Sequence, residues 1–173
     1  MKSNYKRLGD YIHKVDERNK QNITNLQGLS MTKEYRPSTS NIVGTDLSVY
    51  KVMRKNRFVC DFMSVIRVYK LPVVLHKSDA LAIVSPAYTT FEVNDSKILS
   101  PEFLMLWFRR TEFDRYAFFK CDSAIRGGFD WEALCDCLLP VPPIEEQKAI
   151  VQAYKTIERR IEIKRKINDN LAA

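Results

Sequence analysis

Residues able to do covalent chemistry are few and badly placed for it. His13 and His76 stand far apart with no nucleophile nearby, and each reads as a surface or internally satisfied histidine. Glu162-Ile163-Lys164 has the residue types of a metal-dependent nuclease fragment. That chemistry needs several carboxylates converging on one pocket, whereas this trio falls on a solvated helix face. Cys135-Asp136-Cys137 lacks zinc-knuckle spacing and a second pair, so these cysteines, with Cys60 and Cys121, are expected to be reduced structural thiols. The chain has 5 glycines, none spaced as a nucleotide loop after a strand, which argues against a methyltransferase. The expectation is a binding protein with no catalytic residue, no metal and no cofactor.

Binding chemistry is better represented. The formal net charge of +7 leans toward a polyanionic partner. Leu26-Gln27-Gly28-Leu29-Ser30-Met31-Thr32-Lys33-Glu34-Tyr35-Arg36-Pro37-Ser38 reads as a surface loop, opened by a turn glycine and closed by a proline that disfavours helix at Arg36. It mixes basic, hydroxyl and aromatic groups, the types that suit phosphates and base edges, although an ordinary exposed loop has the same look. A second candidate is Arg126-Gly127-Gly128, where paired glycines permit close backbone approach.

At 173 residues with 45% hydrophobic content, the chain can bury one core and carry an appendage. No apolar run approaches the roughly 18 to 20 residues of a membrane span, and no secretory leader is read, so a cytoplasmic location is expected. Tyr5 to Ile12 suggests a short helix or turn broken by Gly9. From Leu47 onward, Val49–Val52, Arg57–Cys60, Val65–Tyr69, Ala80–Val84 and Tyr88–Val93 alternate or run apolar with β-branched and aromatic residues, predicting strands. Ser100-Pro101-Glu102 supplies a cap, an N-terminal proline and a first-turn acid, predicting a helix through Phe108, with another around Glu112–Ala117. Asp130 is placed to cap a short helix over Trp131–Leu134. The predicted class is α+β: a bent, mostly antiparallel sheet or partial barrel with packed helices, followed by a long C-terminal coiled-coil helix.

The joint lies at Leu138-Leu139-Pro140-Val141-Pro142-Pro143-Ile144-Glu145-Glu146-Gln147, where prolines stop a strand and a helix begins. It divides the chain into a body, 1–141, and an appendage, 142–173. Ile150, Tyr154, Ile157, Ile161, Lys164, Asn168 and Leu171 follow steps of four and three, a heptad seam. A helix of about three heptads is marginal alone, so it calls for a partner or packs back on its own domain. Asn168 at a core-type position would specify register.

Several segments, taken in order, resemble the specificity subunit of type I restriction-modification systems. They are Leu8-Gly9-Asp10, Gly28-Leu29-Ser30, the run from Asp46 to Lys51, the run from Val84 to Phe91, Ala124-Ile125-Arg126-Gly127, and the Pro-x-Pro-Pro-x-x-Glu-Gln joint. Glu145 departs from the serine or threonine cap often found there. The resemblance implies a target recognition domain (1–141) reading a DNA half-site and a spacer or dimerisation helix (142–173). It further implies partnership with methyltransferase and, through them, restriction subunits. One domain and one helix are half of the family's pattern. The partner helix would then come from a second copy, as a homodimer, or from a second half of the same chain. On this reading Lys33, Arg36, Arg57, Lys70 and Lys120 engage phosphates, while Thr32, Tyr35 and Arg126 approach base edges. Ile150, Tyr154, Ile157, Ile161, Asn168 and Leu171 form the helix-helix interface. The competing reading is a protein-protein adaptor that does not bind DNA and uses its C-terminal helix.

Overall fold

The computed structural model describes residues 5–38, 44–123 and 128–171. In chain order the elements are β1 (Tyr5–Arg7), β2 (Ile12–Val15), β3 (Gln27–Leu29), β4 (Tyr35–Pro37), β5 (Lys51–Met53), β6 (Phe58–Cys60), α1 (Val65–Val68), β7 (Val73–Leu75), β8 (Ala82–Val84), β9 (Thr89–Val93), α2 (Pro101–Phe108), α3 (Thr111–Ser123), α4 (Trp131–Cys135), β10 (Leu138–Pro140) and α5 (Ile144–Leu171). The central sheet has the order β2-β9-β6-β7. Three two-stranded sheets, β1-β10, β3-β4 and β5-β8, surround it, and every ladder is antiparallel. Among the described residues these sheets do not close into a barrel. The class is the predicted one: antiparallel sheets with packed helices and a long C-terminal helix.

The continuous apolar runs are strands buried on both faces, as such runs should be. Phe58 and Cys60 of β6 join the main core with Val73 and Leu75 of β7, while Val59 and Val74 point into a second, smaller core. Phe58 and Phe91 sit opposite each other in the β6-β9 register and stack at 4.9 Å, and Phe108 of α2 meets Phe58 edge-on at 5.8 Å. The smaller core is completed by Leu29, Met53, Ala82 and Val84, with Tyr35 and Tyr88 at its edge.

Gly9 lies where two elements nearly touch. A Cβ there would fall 2.7 Å from the Cβ of Cys135 on α4, so no other residue fits the turn between β1 and β2 without moving that helix. The helix signals were legible: Ser100 Oγ caps α2 at Phe103 N, Pro101 opens it, and Asp130 Oδ1 accepts from Ala133 N at 2.8 Å to start α4.

Three predicted elements differ. Val65–Tyr69 is helical rather than a strand. Asp61 Oδ1 accepts from Met63 N at 3.1 Å and starts a 3-10 turn that runs into α1, which Tyr69 ends in the left-handed region at φ 57. Tyr5–Ile12 is β1, a 3-10 turn and the start of β2, because Tyr5–Arg7 pairs with Leu138–Pro140. The segment 26–38 is a hairpin, β3-β4, with only three paired positions on each strand, too few for a readable period.

The helix α5 leaves the body just after the prolines. Its first turns are packed rather than free: Gln147 and Val151 are buried against the body. Beyond Glu158 every residue described is exposed.

Candidate functional site

The β3-β4 hairpin is the element that presents polar side chains. Its tip is closed by Ser30, whose backbone N–H donates to Glu34 O at 3.0 Å and whose Oγ accepts from Glu34 N at 3.1 Å. Thr32 is exposed at this tip, its hydroxyl 2.8 Å from Ser30 Oγ. Tyr35 and Arg36, as strand neighbours, point to opposite faces. Tyr35 faces the body, its hydroxyl 3.3 Å from His76 Nδ1, and burial pushes its phenol well above the usual range. Arg36 is exposed and lies across the hairpin, with Nε donating to Leu29 O at 2.9 Å.

Arg36 belongs to a polar cleft of about 90 Å³. Gln27, Ser38, Tyr50, Ser85 and Tyr88 line it from the hairpin and from the loops beside β5, β8 and β9. Lys51 Nζ donates to Tyr88 O at 2.6 Å and holds that loop in place. The cleft therefore offers an amide, a guanidinium, hydroxyls and aromatic faces within one concavity, the set that reads base edges and phosphates. Gln27, Tyr50, Ser85 and Tyr88 had not been singled out as site residues. Tyr88 lies inside the family-like run from Val84 to Phe91, so that run was the available signal.

Two of the predicted phosphate contacts are corrected. Lys33 is only 5% exposed. With φ at 62 the backbone turns its side chain inward, where Nζ donates to Asp114 Oδ1 at 2.7 Å and to the carbonyl of Phe108. Burial draws its ammonium below the ordinary lysine value, with Asp114 opposing. Arg57 is likewise inside: Nε donates to Glu92 at 2.7 Å, and Nη1 to Glu17 at 2.9 Å and to Val52 O at 2.6 Å. Arg54 joins from the other side, Nη2 to Glu17 Oε1 at 2.6 Å, and this pair of guanidiniums, Arg54 foremost, pulls the Glu17 carboxyl down to about 2. Both basic groups are structural because a buried charge must keep its counter-charges.

The remaining sequence-predicted residues separate. Lys70 is exposed on the turn after α1, close enough to Lys33 to oppose its charge. Lys120 lies on α3 with Nζ 5.7 Å over the Tyr116 ring, at the edge of an apolar cavity of about 330 Å³ shared with Trp107 and Phe113. Arg126 lies outside the described residues. The structure thus brings Thr32 and Arg36 onto one hairpin and places Lys70 and Lys120 on the helical side.

On α5, Ile150, Tyr154, Ile157 and Ile161 are exposed, as are Ile163 and Ile167 beside them. Tyr154 has a partner within the chain, its ring 6.0 Å from the Arg109 guanidinium. Asn168 is exposed, and the Leu171 side chain lies outside the described residues. His76, Nε2 2.8 Å from Ala80 O, is an internally satisfied histidine, and all four cysteines are buried free thiols. Among the described residues no group of three His, Cys, Asp or Glu side chains could hold a metal ion, and no helix is long and apolar enough to cross a membrane.

Comparison with known proteins adds a family. Residues 74–173 match the type I restriction modification DNA specificity domain. Among solved structures the chain is similar to the HsdS subunit from Thermoanaerobacter tengcongensis, with a TM-score of 0.52 at 14% identity over 94% of this chain and 39% of that one. It is also similar to a chain from a structural study of complex assembly and conformational transition in the type I R-M system, with a TM-score of 0.55 at 15% identity over 94% of this chain and 40% of that one. At such identity these likenesses speak for the fold, and the chain spans about two fifths of their length. A comparison with curated proteins gave no match. With more than half of its length matched, the chain belongs to the family of type I restriction modification DNA specificity domains.

Proposed function

We propose that this chain reads a DNA half-site as the recognition part of a type I restriction-modification specificity subunit, without catalytic chemistry of its own. The body, 1–141, is the target recognition domain, and 142–173 is the helix that spaces it from a second one. That reading is carried by one observation: in a chain of a DNA specificity family, the β3-β4 hairpin holds Arg36 in a cleft with Gln27, Tyr50 and Tyr88. The forked donors of Arg36 suit the guanine edge and the paired donor and acceptor of the Gln27 amide suit the adenine edge, and Thr32 and Lys70 are exposed toward solvent to meet the backbone. Arg126 and Lys120 remain proposed contacts on the helical side. Through the exposed α5 stripe the chain pairs with a second copy or with a second half of the same protein. The assembly directs methyltransferase and restriction subunits to the site, in the cytoplasm.

The test is an electrophoretic mobility shift with the cognate methyltransferase subunit present, comparing the parent with Arg36→Ala. Loss of one bidentate base contact should cost about 1–3 kcal/mol on the preferred sequence and relax choice at one position in a binding-site selection. An unchanged base preference would remove Arg36 from the interface. The adaptor reading draws on the exposed isoleucine stripe of α5. It gains if the assembled complex binds no DNA at low salt.

A further inference from the structure

Gln147 sits in the second turn of α5 and is completely buried. Its Oε1 accepts from Ser100 N at 2.8 Å, and its Nε2 donates to Ile98 O and to Pro142 O, each at 2.8 Å. Ser100 is the N-cap of α2, and Pro142 belongs to the proline turn. One side chain thus joins three segments: the start of α2, the end of the turn and the base of α5. Glutamate would lose both donors, asparagine would fall short, and an apolar residue would remove all three hydrogen bonds.

Farther along, α5 is tied to α2 twice more. Lys155 Nζ meets Glu102 at 2.7 Å near the start of α2, and Arg109, the C-cap of α2, meets Glu158 at 2.9 Å. Val151 is buried between Gln147 and these ties. From residue 159 onward the helix stands clear of the body.

The lever this creates is long. Leu171 lies 24 residues beyond Gln147 (171 − 147), which at a rise of about 1.5 Å per residue is roughly 36 Å of helix. A swing of about 10° at the base would move the far end by about 6 Å, more than the roughly 3.4 Å that separates successive base pairs.

We propose that Gln147 is a positioning residue: by fixing the angle at which α5 leaves the domain, it sets how many base pairs separate the half-sites that the assembled protein accepts. This rests on the DNA-reading function proposed above. The clamp itself does not, because its rigidity can be measured with no DNA present.

The experiment uses Lys20→Cys and Arg165→Cys, exposed positions on the body and the free part of α5, to carry spin labels. The four native cysteines are buried and stay unlabelled. Distance distributions are compared for the parent, Gln147→Leu, and the surface double variant Lys155→Ala/Glu158→Ala, which keeps the core intact should Gln147→Leu fail to fold. Bound to methyltransferase subunits, the same proteins are assayed on DNA series whose half-site spacing varies by single base pairs.

We expect broader distributions in both variants. Affinity at the best spacing should be little changed, and discrimination against a spacing one base pair longer or shorter should fall by about tenfold for Gln147→Leu. Distributions as narrow as the parent's in folded variants overturn the clamp. Broadened distributions with an unmoved spacing preference overturn its role in spacing. A parent that binds no DNA while the variants broaden overturns the DNA reading and leaves the clamp standing.

Discussion

Lys33→Ala separates a structural lysine from a DNA-contacting one. The substitution removes the ammonium that neutralises Asp114, whose side chain is only 13% exposed, and strips a donor from the Phe108 carbonyl. Leaving a buried carboxylate without its partner costs about 3–5 kcal/mol, a large share of the stability of a domain this size. The left-handed backbone at position 33, φ 62, adds a second signature. Lys33→Gly should be more stable than Lys33→Ala by about 1 kcal/mol, because glycine adopts that conformation at no steric cost. Lys33→Met/Asp114→Leu should recover most of the loss, since replacing both partners removes the unpaired charge. Urea unfolding of the four proteins gives the free energies, and DNA binding by the folded fraction at several salt concentrations gives the salt slope. If Lys33→Ala unfolds within about 0.5 kcal/mol of the parent and its salt slope is shallower by about one, Lys33 touches phosphate and the burial argument is wrong.

Two further outcomes follow from the same kind of reasoning. The folded-state pKa of Glu17, held down to about 2 by Arg54 and Arg57, lies below its unfolded value near 4.5, so the stability it contributes is present above pH 4.5 and is lost as the pH falls toward 2. Discounted for its partial exposure, that amounts to about 1–3 kcal/mol, and Glu17→Gln should flatten the acid limb of a stability-against-pH curve by this amount. Gly9→Ala drives a methyl group to 2.7 Å from Cys135 Cβ, and thermal unfolding should report a loss of about 1–3 kcal/mol.

What the sequence made legible was local. Ser100-Pro101-Glu102 and Asp130 announce their helices because a cap acts within three residues of itself. The proline joint is visible for the same reason. Lys33 and Arg57 could not be read correctly, since what decides their role is far along the chain: Asp114 is 81 residues from Lys33, and Glu17 and Glu92 are 40 and 35 from Arg57. A basic residue beside a turn looks like a surface contact until its counter-charge is located. Val65–Val68 failed differently, because β-branched residues outweighed a capping aspartate four positions earlier. The cleft was half visible: Gln27 and Arg36 stood in the candidate loop, while Tyr50, Ser85 and Tyr88 reach it from loops beside β5, β8 and β9, which ladders between distant parts of the chain bring there.

The pairing of Tyr5 with Pro140 has a consequence for inheritance as well as for folding. A polypeptide passing through this body arrives along β1 and departs along β10, and the two strands run side by side. Everything between them is a loop in the topological sense, closed at one spot beside the base of α5. Two neighbouring cuts therefore exchange the whole body at once, and an incoming body keeps the exit angle of α5 only if it brings its own counterparts of Ile98, Ser100, Glu102 and Arg109. On the DNA-reading function proposed above, recombination at those cuts would trade what is read, and would keep where it is held only when the α2 contacts to α5 come with it.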